Sequence, residues 1–416
     1  MKKIISFLIV ISALFTLSAC GEKTTTSTDT IPSMRPPIEE ENAIDTSHQI
    51  QITASSISET AGTVEGSGIY EIGSAVTLSA KANEGYAFKI WTDGVTDATR
   101  NVVAKDVSSY TAVFEAVNET DASLFTYEVT PLGAAITGYR GADGIIKIPQ
   151  KIEGLAVVKL ADNCFDGSSI TSAVLSDGIT SIGDGAFWHC AKLYSVTIPE
   201  TVTSIGNKAF WQCNSLVSVN LPEGLTSLGD YAFNNCHALS SIAFPSTLTN
   251  LGRFPFFYCQ NLKNIDVSLS NTAFTTHEGV LFTKDMSTIV CYPNLHGEEY
   301  TLPAHTYSIG NGAFATCTAL KKVELHGAVT SIGNYAFYNN TSIESITVQS
   351  GVSSIGSNAF AECTALTSLS VPSSVTNIGD AVLANNTALT SVSTPANSAF
   401  ALWCSTNGFG DKIVNN

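Results

Sequence analysis

Ile182-Gly183-Asp184-Gly185-Ala186-Phe187-Trp188-His189-Cys190-Ala191-Lys192-Leu193-Tyr194-Ser195-Val196-Thr197-Ile198-Pro199 is echoed 23 residues later by Ile205-Gly206-Asn207-Lys208-Ala209-Phe210-Trp211-Gln212-Cys213-Asn214-Ser215-Leu216-Val217-Ser218-Val219-Asn220-Leu221-Pro222. Both stretches carry an Ile-Gly pair, an Ala-Phe pair, a cysteine three residues after the phenylalanine, a leucine, and a short alternating strand ending in proline. Phenylalanine marks the period at Phe165, Phe187, Phe210, Phe233, Phe256, Phe314, Phe337 and Phe360, with Leu383 in the same slot. Every step is 23 except the first, which is 22, and the gap from 256 to 314. The Ile/Leu-Gly pair recurs with it, at Leu228-Gly229, Leu251-Gly252, Ile309-Gly310, Ile332-Gly333, Ile355-Gly356 and Ile378-Gly379.

Self-similarity at such a spacing is the signature of coils stacked into a solenoid. Apolar residues at every second strand position must face inward, so neighbouring coils are expected to lay their strands side by side, about 4.8 Å apart, in one parallel sheet. One coil cannot bury its own apolar face. Roughly ten can, which predicts a continuous core over about residues 124–410. The array is interrupted around 268–300, where Gly279-Val280-Leu281-Phe282-Thr283-Lys284-Asp285 and Cys291-Tyr292-Pro293 read as an irregular insert, and Pro395 to Phe409 reads as a cap on the open end.

Upstream, residues 49–117 alternate in period two, as in Val76-Thr77-Leu78-Ser79-Ala80 and Tyr110-Thr111-Ala112-Val113-Phe114, between Gly and Asn turns, which predicts a small all-β domain. Residues 20–48 are polar and broken by Pro32 and Pro36-Pro37, with the acidic run Glu39-Glu40-Glu41, a composition suited to a tether. Residues 1–19 carry Lys2 and Lys3 and an apolar run from Ile4 to Leu17, a signal-peptide pattern too short to span a bilayer.

The repeat pattern resembles the BspA-type leucine-rich repeat, with Tyr127, Ile136-Thr137-Gly138-Tyr139 and Ile146-Lys147-Ile148-Pro149 matching the family's opening segment. Gly62-Thr63-Val64, Gly66-Ser67-Gly68, Tyr70, Gly73, Asn83-Glu84-Gly85-Tyr86-Ala87-Phe88 and Trp91-Thr92-Asp93-Gly94 resemble the internalin-type B-repeat, whose members act as stalks or spacers and in some cases bind. Phe88 and Trp91 are expected in its core. Leu17-Ser18-Ala19-Cys20 resembles a lipobox, which implies cleavage before Cys20, diacylation of its thiol, and anchoring to a membrane by the acyl chains.

The cysteine slot holds Cys190, Cys213, Cys236, Cys259, Cys317 and Cys363, and the same slot holds Asn340 and Asn386. A slot that accepts either residue wants a small buried side chain able to bond a loop backbone, so these are read as a structural ladder of free thiols and amides and not as disulfides. Cys164, Cys291 and Cys404 fall outside the column. His189 beside Cys190 and His237 beside Cys236 lack the paired spacing a zinc site needs. No Gly-x-Ser-x-Gly elbow, phosphate loop or His-Glu-x-x-His occurs, and Gly183-Asp184-Gly185 and Gly310-Asn311-Gly312 are the repeat's own turns. The sequence therefore predicts neither an enzyme nor a cofactor.

A formal charge of −16 disfavours nucleic acid, which needs clustered lysine and arginine. The outward strand positions, such as Ser195, Thr197, Ser218 and Asn220, offer no anchors of the kind that dominate interfaces. The residue after the marker is different: Trp188, Trp211, Phe257 and Tyr338, with Tyr258 next to Phe257, form a candidate ligand-binding stripe able to meet a sugar face or an apolar peptide side chain. These rings could equally shield the edge of the core. The BspA resemblance implies an exported, surface-exposed, adhesin-like protein of the bacterial envelope, with host matrix or serum proteins as partners, and the chain is expected to act as a monomer. A lipoprotein that captures glycans or peptides for nutrient uptake, and a purely structural envelope role, are the competing readings.

Overall fold

The computed structural model describes residues 49–415 apart from Glu84, Gly85, Thr96, Asp106 and Val107. The signal segment 1–19, Cys20 and the tether 20–48 lie outside the described residues.

The N-terminal module pairs strands in two sheets. One runs in the order Gly68–Glu71, Gln49–Ser56, Ser108–Ala116, Tyr86–Trp91, and the other Gly62–Glu65, Ala75–Ala82, Thr99–Val103. Inward positions of both supply a single core that includes Ile52, Leu78, Phe88, Trp91, Val102 and Phe114. The Trp91 indole N–H donates to the Asp97 carbonyl at 2.9 Å, so the largest core ring leaves no polar atom unpaired.

The remainder is a solenoid in which each coil carries two parallel ladders where the sequence suggested one. The expected ladder stacks Ile170–Val174, Ser195–Thr197 and Ser218–Val219, and later Ser345–Thr347, Ser368–Ser370 and Ser391–Thr394. The second is built from two-residue strands, Ser181–Ile182, Ser204–Ile205, Ser227–Leu228 and Asn250–Leu251, in unshifted register. The Ile-Gly pair is thus the end of a strand, and its glycine marks where coils approach most closely. A Cβ on Gly206 would stand 2.4 Å from Asp184 Oδ1 and 2.7 Å from the Asp184 nitrogen.

A third set of inter-coil bonds runs through the loop around the marker phenylalanine. The residues two before and two after the marker take left-handed backbone conformations, for example Lys208 (φ 57°) and Gln212 (φ 62°), or Tyr231 and Asn235 (φ 58° each). This alternation aims three N–H groups per coil at the next coil: Lys208 to Asp230, Phe210 to Ala232 and Gln212 to Asn234, at 2.8 to 2.9 Å. Left-handed non-glycine residues cost roughly 1 kcal/mol or more each, and the paired N–H groups offset that cost. The marker rings stack within, with Phe187, Phe210 and Phe233 at centroid separations of 5.2 and 5.1 Å and nearly parallel planes. Each is fully buried, a contribution of roughly 1.5–3 kcal/mol per ring.

The insert forms the hairpin Phe274–His277 with Val280–Thr283, which pairs on to Thr288–Cys291 and so rejoins the two-residue ladder at Ser308–Ile309. It takes the place of a coil. Tyr292 occupies the marker slot: its N–H donates to the Ala313 carbonyl at 2.7 Å, as Phe165 does to Ala186, and its ring packs 5.2 Å from Phe314. The cap extends further than the sequence suggested. After the helix Ala399–Thr406, whose N-cap is Ser398, the chain adds the strand Ile413–Asn415 in parallel to Ser391–Thr394.

Candidate functional site

The cysteine column is structural in its geometry. Each thiol reaches back one coil to the carbonyl of the previous marker: Cys190 to Phe165 (3.0 Å), Cys213 to Phe187 (3.2 Å), Cys236 to Phe210 (3.1 Å), Cys259 to Phe233 (3.1 Å), Cys317 to Tyr292 (3.6 Å) and Cys363 to Phe337 (3.0 Å). Asn340 does the same, donating to the Phe314 carbonyl at 2.8 Å, and also donates to the carbonyl of its own coil's marker, Phe337, at 2.8 Å. Asn386 differs, accepting the Cys363 N–H at 2.8 Å. All nine described cysteines are free thiols, and burial pushes Cys190 and Cys363 up to about 12, which keeps them protonated and unreactive. Cys164 and Cys291, which the sequence left unassigned, both precede the marker ring of an irregular coil and fill the slot of the repeat's alanine. Cys404 is buried in the cap helix.

The His189 ring donates from Nδ1 to the Asp166 carboxylate at 3.0 Å and is half exposed, and His237 contacts Asn235. Among the described residues, no three His, Cys, Asp or Glu side chains converge on a common point.

The outward strand face is partly covered. The module strand Ala75–Ala82 lies over it, with the Lys81 ammonium donating to Asn220 Oδ1 across a polar groove lined by Thr77, Ser79, Ser218 and Ser241. Burial in that groove lowers the Lys81 pKa.

The aromatic residues after the marker are half-buried, and they form part of a longer row than the sequence indicated. The left-handed residue two before the marker points its side chain beside the ring that follows the marker: even the Cβ of a residue replacing Gly185 would touch Trp188 Cε3 at 3.6 Å. Tyr231, Phe254 and Tyr335 occupy this second column and link the first. Trp188 stacks on Trp211 (5.4 Å), Trp211 on Tyr231 (5.9 Å) and Tyr231 on Phe254 (5.5 Å), all within 26° of parallel. Phe254 then meets Phe257 and Tyr335 edge-on at 5.6 Å, and Phe257 lies 5.8 Å from Tyr338. All five candidate rings, Trp188, Trp211, Phe257, Tyr258 and Tyr338, therefore belong to one contiguous stripe.

The two ends of the stripe differ. Around the indoles the ring faces are occupied, because Trp188 has Trp211 on it and His189 at 4.7 Å, while the Lys208 ammonium sits 5.3 Å from the Trp188 ring and 4.9 Å from the Trp211 ring. Sequence reasoning pictured these indoles as open to a sugar face; stacking along the coil axis leaves mainly their edges. Further along, Tyr231, Phe254, Phe257, Tyr258, Tyr335 and Tyr338 line a cleft of about 290 Å³. Burial, the Tyr258 phenol and the Glu362 carboxylate together push the Tyr338 phenol up to about 12, so it remains a neutral donor.

Comparison with known families matches the BspA type leucine rich repeat region, in six copies, over residues 158–278 and 290–402, and the divergent InlB B-repeat domain over residues 52–118. No curated protein sequence matches. Among solved structures, a leucine-rich repeat protein from Eubacterium ventriosum is similar at 25% identity and a TM-score of 0.50, covering 66% of this chain and 78% of that one. The pneumococcal vaccine antigen PcpA shares the fold at 18% identity and a TM-score of 0.52, covering 67% of this chain and 87% of its own.

Proposed function

The chain belongs to the BspA-type leucine-rich repeat family, and from that premise we propose that it is a non-catalytic binding protein of the bacterial surface that holds an extracellular protein of the host matrix or serum class. The observation that carries this reading is the contiguous aromatic stripe from Trp188 to Tyr338. A solenoid core needs its marker rings, which are already fully buried. It does not need a second row of rings left half in water. Large half-buried aromatics in a continuous patch are the residues that supply interface energy, since truncating a central one costs 2 kcal/mol or more, to take the order of magnitude of about a hot spot. Nutrient capture through sugar stacking is less well served, because the indole faces are taken by neighbouring rings and by Lys208.

In this reading Cys20 carries the lipid anchor, residues 20–48 the tether, the β module sets the array away from the membrane, and the array acts as a monomer. The test is binding of the full chain to immobilised matrix and serum proteins, with complex glycans in parallel. Saturable binding to a protein that falls at least tenfold when Trp188 and Trp211 are both replaced by alanine, with the thermal melt retained, supports the reading, the tenfold being about the loss of one interface anchor. Glycan binding alone, or protein binding indifferent to the double variant, would remove it.

A further inference from the structure

We propose that the six-ring cleft in the stripe receives a cationic side chain, lysine or arginine, from the protein partner; this deepens the reading of the stripe as the partner surface and rests on it. The cleft exists because no outer ring stands between Tyr258 and Tyr335. Between the coils that supply Phe254 and Phe257 and those that supply Tyr335 and Tyr338 stand the insert, whose Tyr292 is buried in the core, and the coil with Gly312 and Ala315 in the two ring-bearing columns. Gly312 has φ +63°, and a Cβ there would come within 2.5 Å of the Phe254 ring. With no ring of its own in that coil, the stack that runs from Trp188 to Phe254 breaks: Phe257 and Tyr338 still lie within 25° of parallel across the gap, while Phe254, Tyr258 and Tyr335 turn across their neighbours.

That turn changes what the rings can bind. Phe254 lies at 66° to Phe257 and 87° to Tyr335, Phe257 at 81° to Tyr258, and Tyr335 at 68° to Tyr338. Crossed rings cannot all cover one another's faces, so negative π faces line the cleft, the arrangement that attracts a cation within about 6 Å of several ring centroids.

The stripe already contains the same interaction. At its stacked end the Lys208 ammonium lies 4.9 and 5.3 Å from two indole centroids. The six-ring end has equivalent rings and no basic residue in its lining. Arg253, adjacent in sequence to Phe254, is held by Asp230 at 2.8 Å. The surrounding field has the sign that favours a cation, with a formal charge of −16 for the chain and the Glu362 carboxylate acting on Tyr338. An apolar partner residue would fill the space but gain nothing from that field.

The experiment titrates the full chain, at fixed ionic strength, with capped Gly-Gly-Lys-Gly-Gly, its arginine counterpart, and the neutral isostere with norleucine, followed by saturation-transfer NMR. The same titrations are run on Phe257→Leu, Tyr338→Leu and the double variant, which keep charge and apolar bulk while removing π faces. Neither position has a left-handed backbone, and the thermal melt checks that the variants fold. The basic peptides are expected to bind about tenfold more tightly than norleucine, each variant to weaken them about threefold, and the pair about tenfold. Equal binding of norleucine, loss-free binding to the double variant, or no binding of any peptide overturns the proposal. Capture of a protein partner that is lost on replacing Trp188 and Trp211 but kept by the Phe257 and Tyr338 pair removes the cleft and leaves the stripe; capture indifferent to both sets removes the stripe reading itself.

Discussion

Replacing Phe210 tests whether the marker ladder holds the array together. Its ring is fully buried, 5.2 Å from Phe187 and 5.1 Å from Phe233, with interplanar angles of 6° and 3°. Truncation to alanine removes the transfer energy of the ring and leaves a cavity that two backbone-tethered neighbours cannot close, a loss of about 3–5 kcal/mol. The two stacking contacts, each about 0.5–1.5 kcal/mol beyond burial, place it toward the upper end. Phe210→Leu is expected to cost less, about 1–1.5 kcal/mol, because the same slot holds Leu383 with full burial. Urea unfolding read by tryptophan fluorescence reports locally in a background where Trp91 and Trp403 are replaced by phenylalanine, since of the two tryptophans left Trp211 is the next residue and Trp188 stacks on it. Far-UV circular dichroism reports the array as a whole. Stability in such arrays is a sum of coil and nearest-neighbour terms, so a lesion at Phe210 weakens two coil interfaces and should separate these two signals. A loss for Phe210→Ala below about 1 kcal/mol, the ordinary cost of an average substitution, would refute the argument. So would equal losses for leucine and alanine.

The buried thiols set an alkaline limit. Unfolded thiols ionise in the ordinary range, whereas burial raises Cys190, Cys363 and Cys404 to about 12, so the stability they confer is complete below the ordinary thiol range and is lost as the pH rises toward 12. Fluorescence across that window should show cooperative unfolding together with the onset of thiol labelling; rapid labelling of the native chain at mildly alkaline pH would contradict it. Asn340→Ala leaves the Phe314 and Phe337 carbonyls, both bonded at 2.8 Å, without their donor, for about 2–3 kcal/mol in chemical denaturation, whereas Asn340→Cys restores one bond and should cost about 1 kcal/mol. Equal costs would mean that the amide does not bridge the coils. Gly206→Ala places a methyl 2.4 Å from Asp184 Oδ1 and against backbone, and about 1–3 kcal/mol of overpacking should appear as a lower Tm; an unchanged melt would show that the coils are not in close contact there.

Much of the fold is legible in the chain because a solenoid converts sequence period into spatial neighbourhood. Residues 23 apart, such as Phe187 and Phe210 or Cys213 and Cys236, become neighbours by repetition alone, so counting suffices to pair them. The second ladder was harder to see. Ser-Ile is too short to show an alternating pattern, and its strand character arises only when the next coil supplies partners.

The candidate site was half legible for the same reason. Trp188, Trp211, Phe257 and Tyr338 share one column, and a column can be read. Tyr231, Phe254 and Tyr335 belong to a different column, and what brings them beside the first is a left-handed backbone that no residue type announces when it falls on tyrosine or phenylalanine. The sequence by itself determined the period, the buried marker and the cysteine slot, because burial imposes one residue chemistry on every coil. Only the tertiary structure decided which rings stack and which cross. That depended on an insert standing in for a coil and on Gly312 and Ala315 leaving a gap, which brings Phe254 against Tyr335 across 81 residues of chain. Ring orientation is set by what the neighbouring coil leaves empty, and an empty position carries no signal until the coils are stacked.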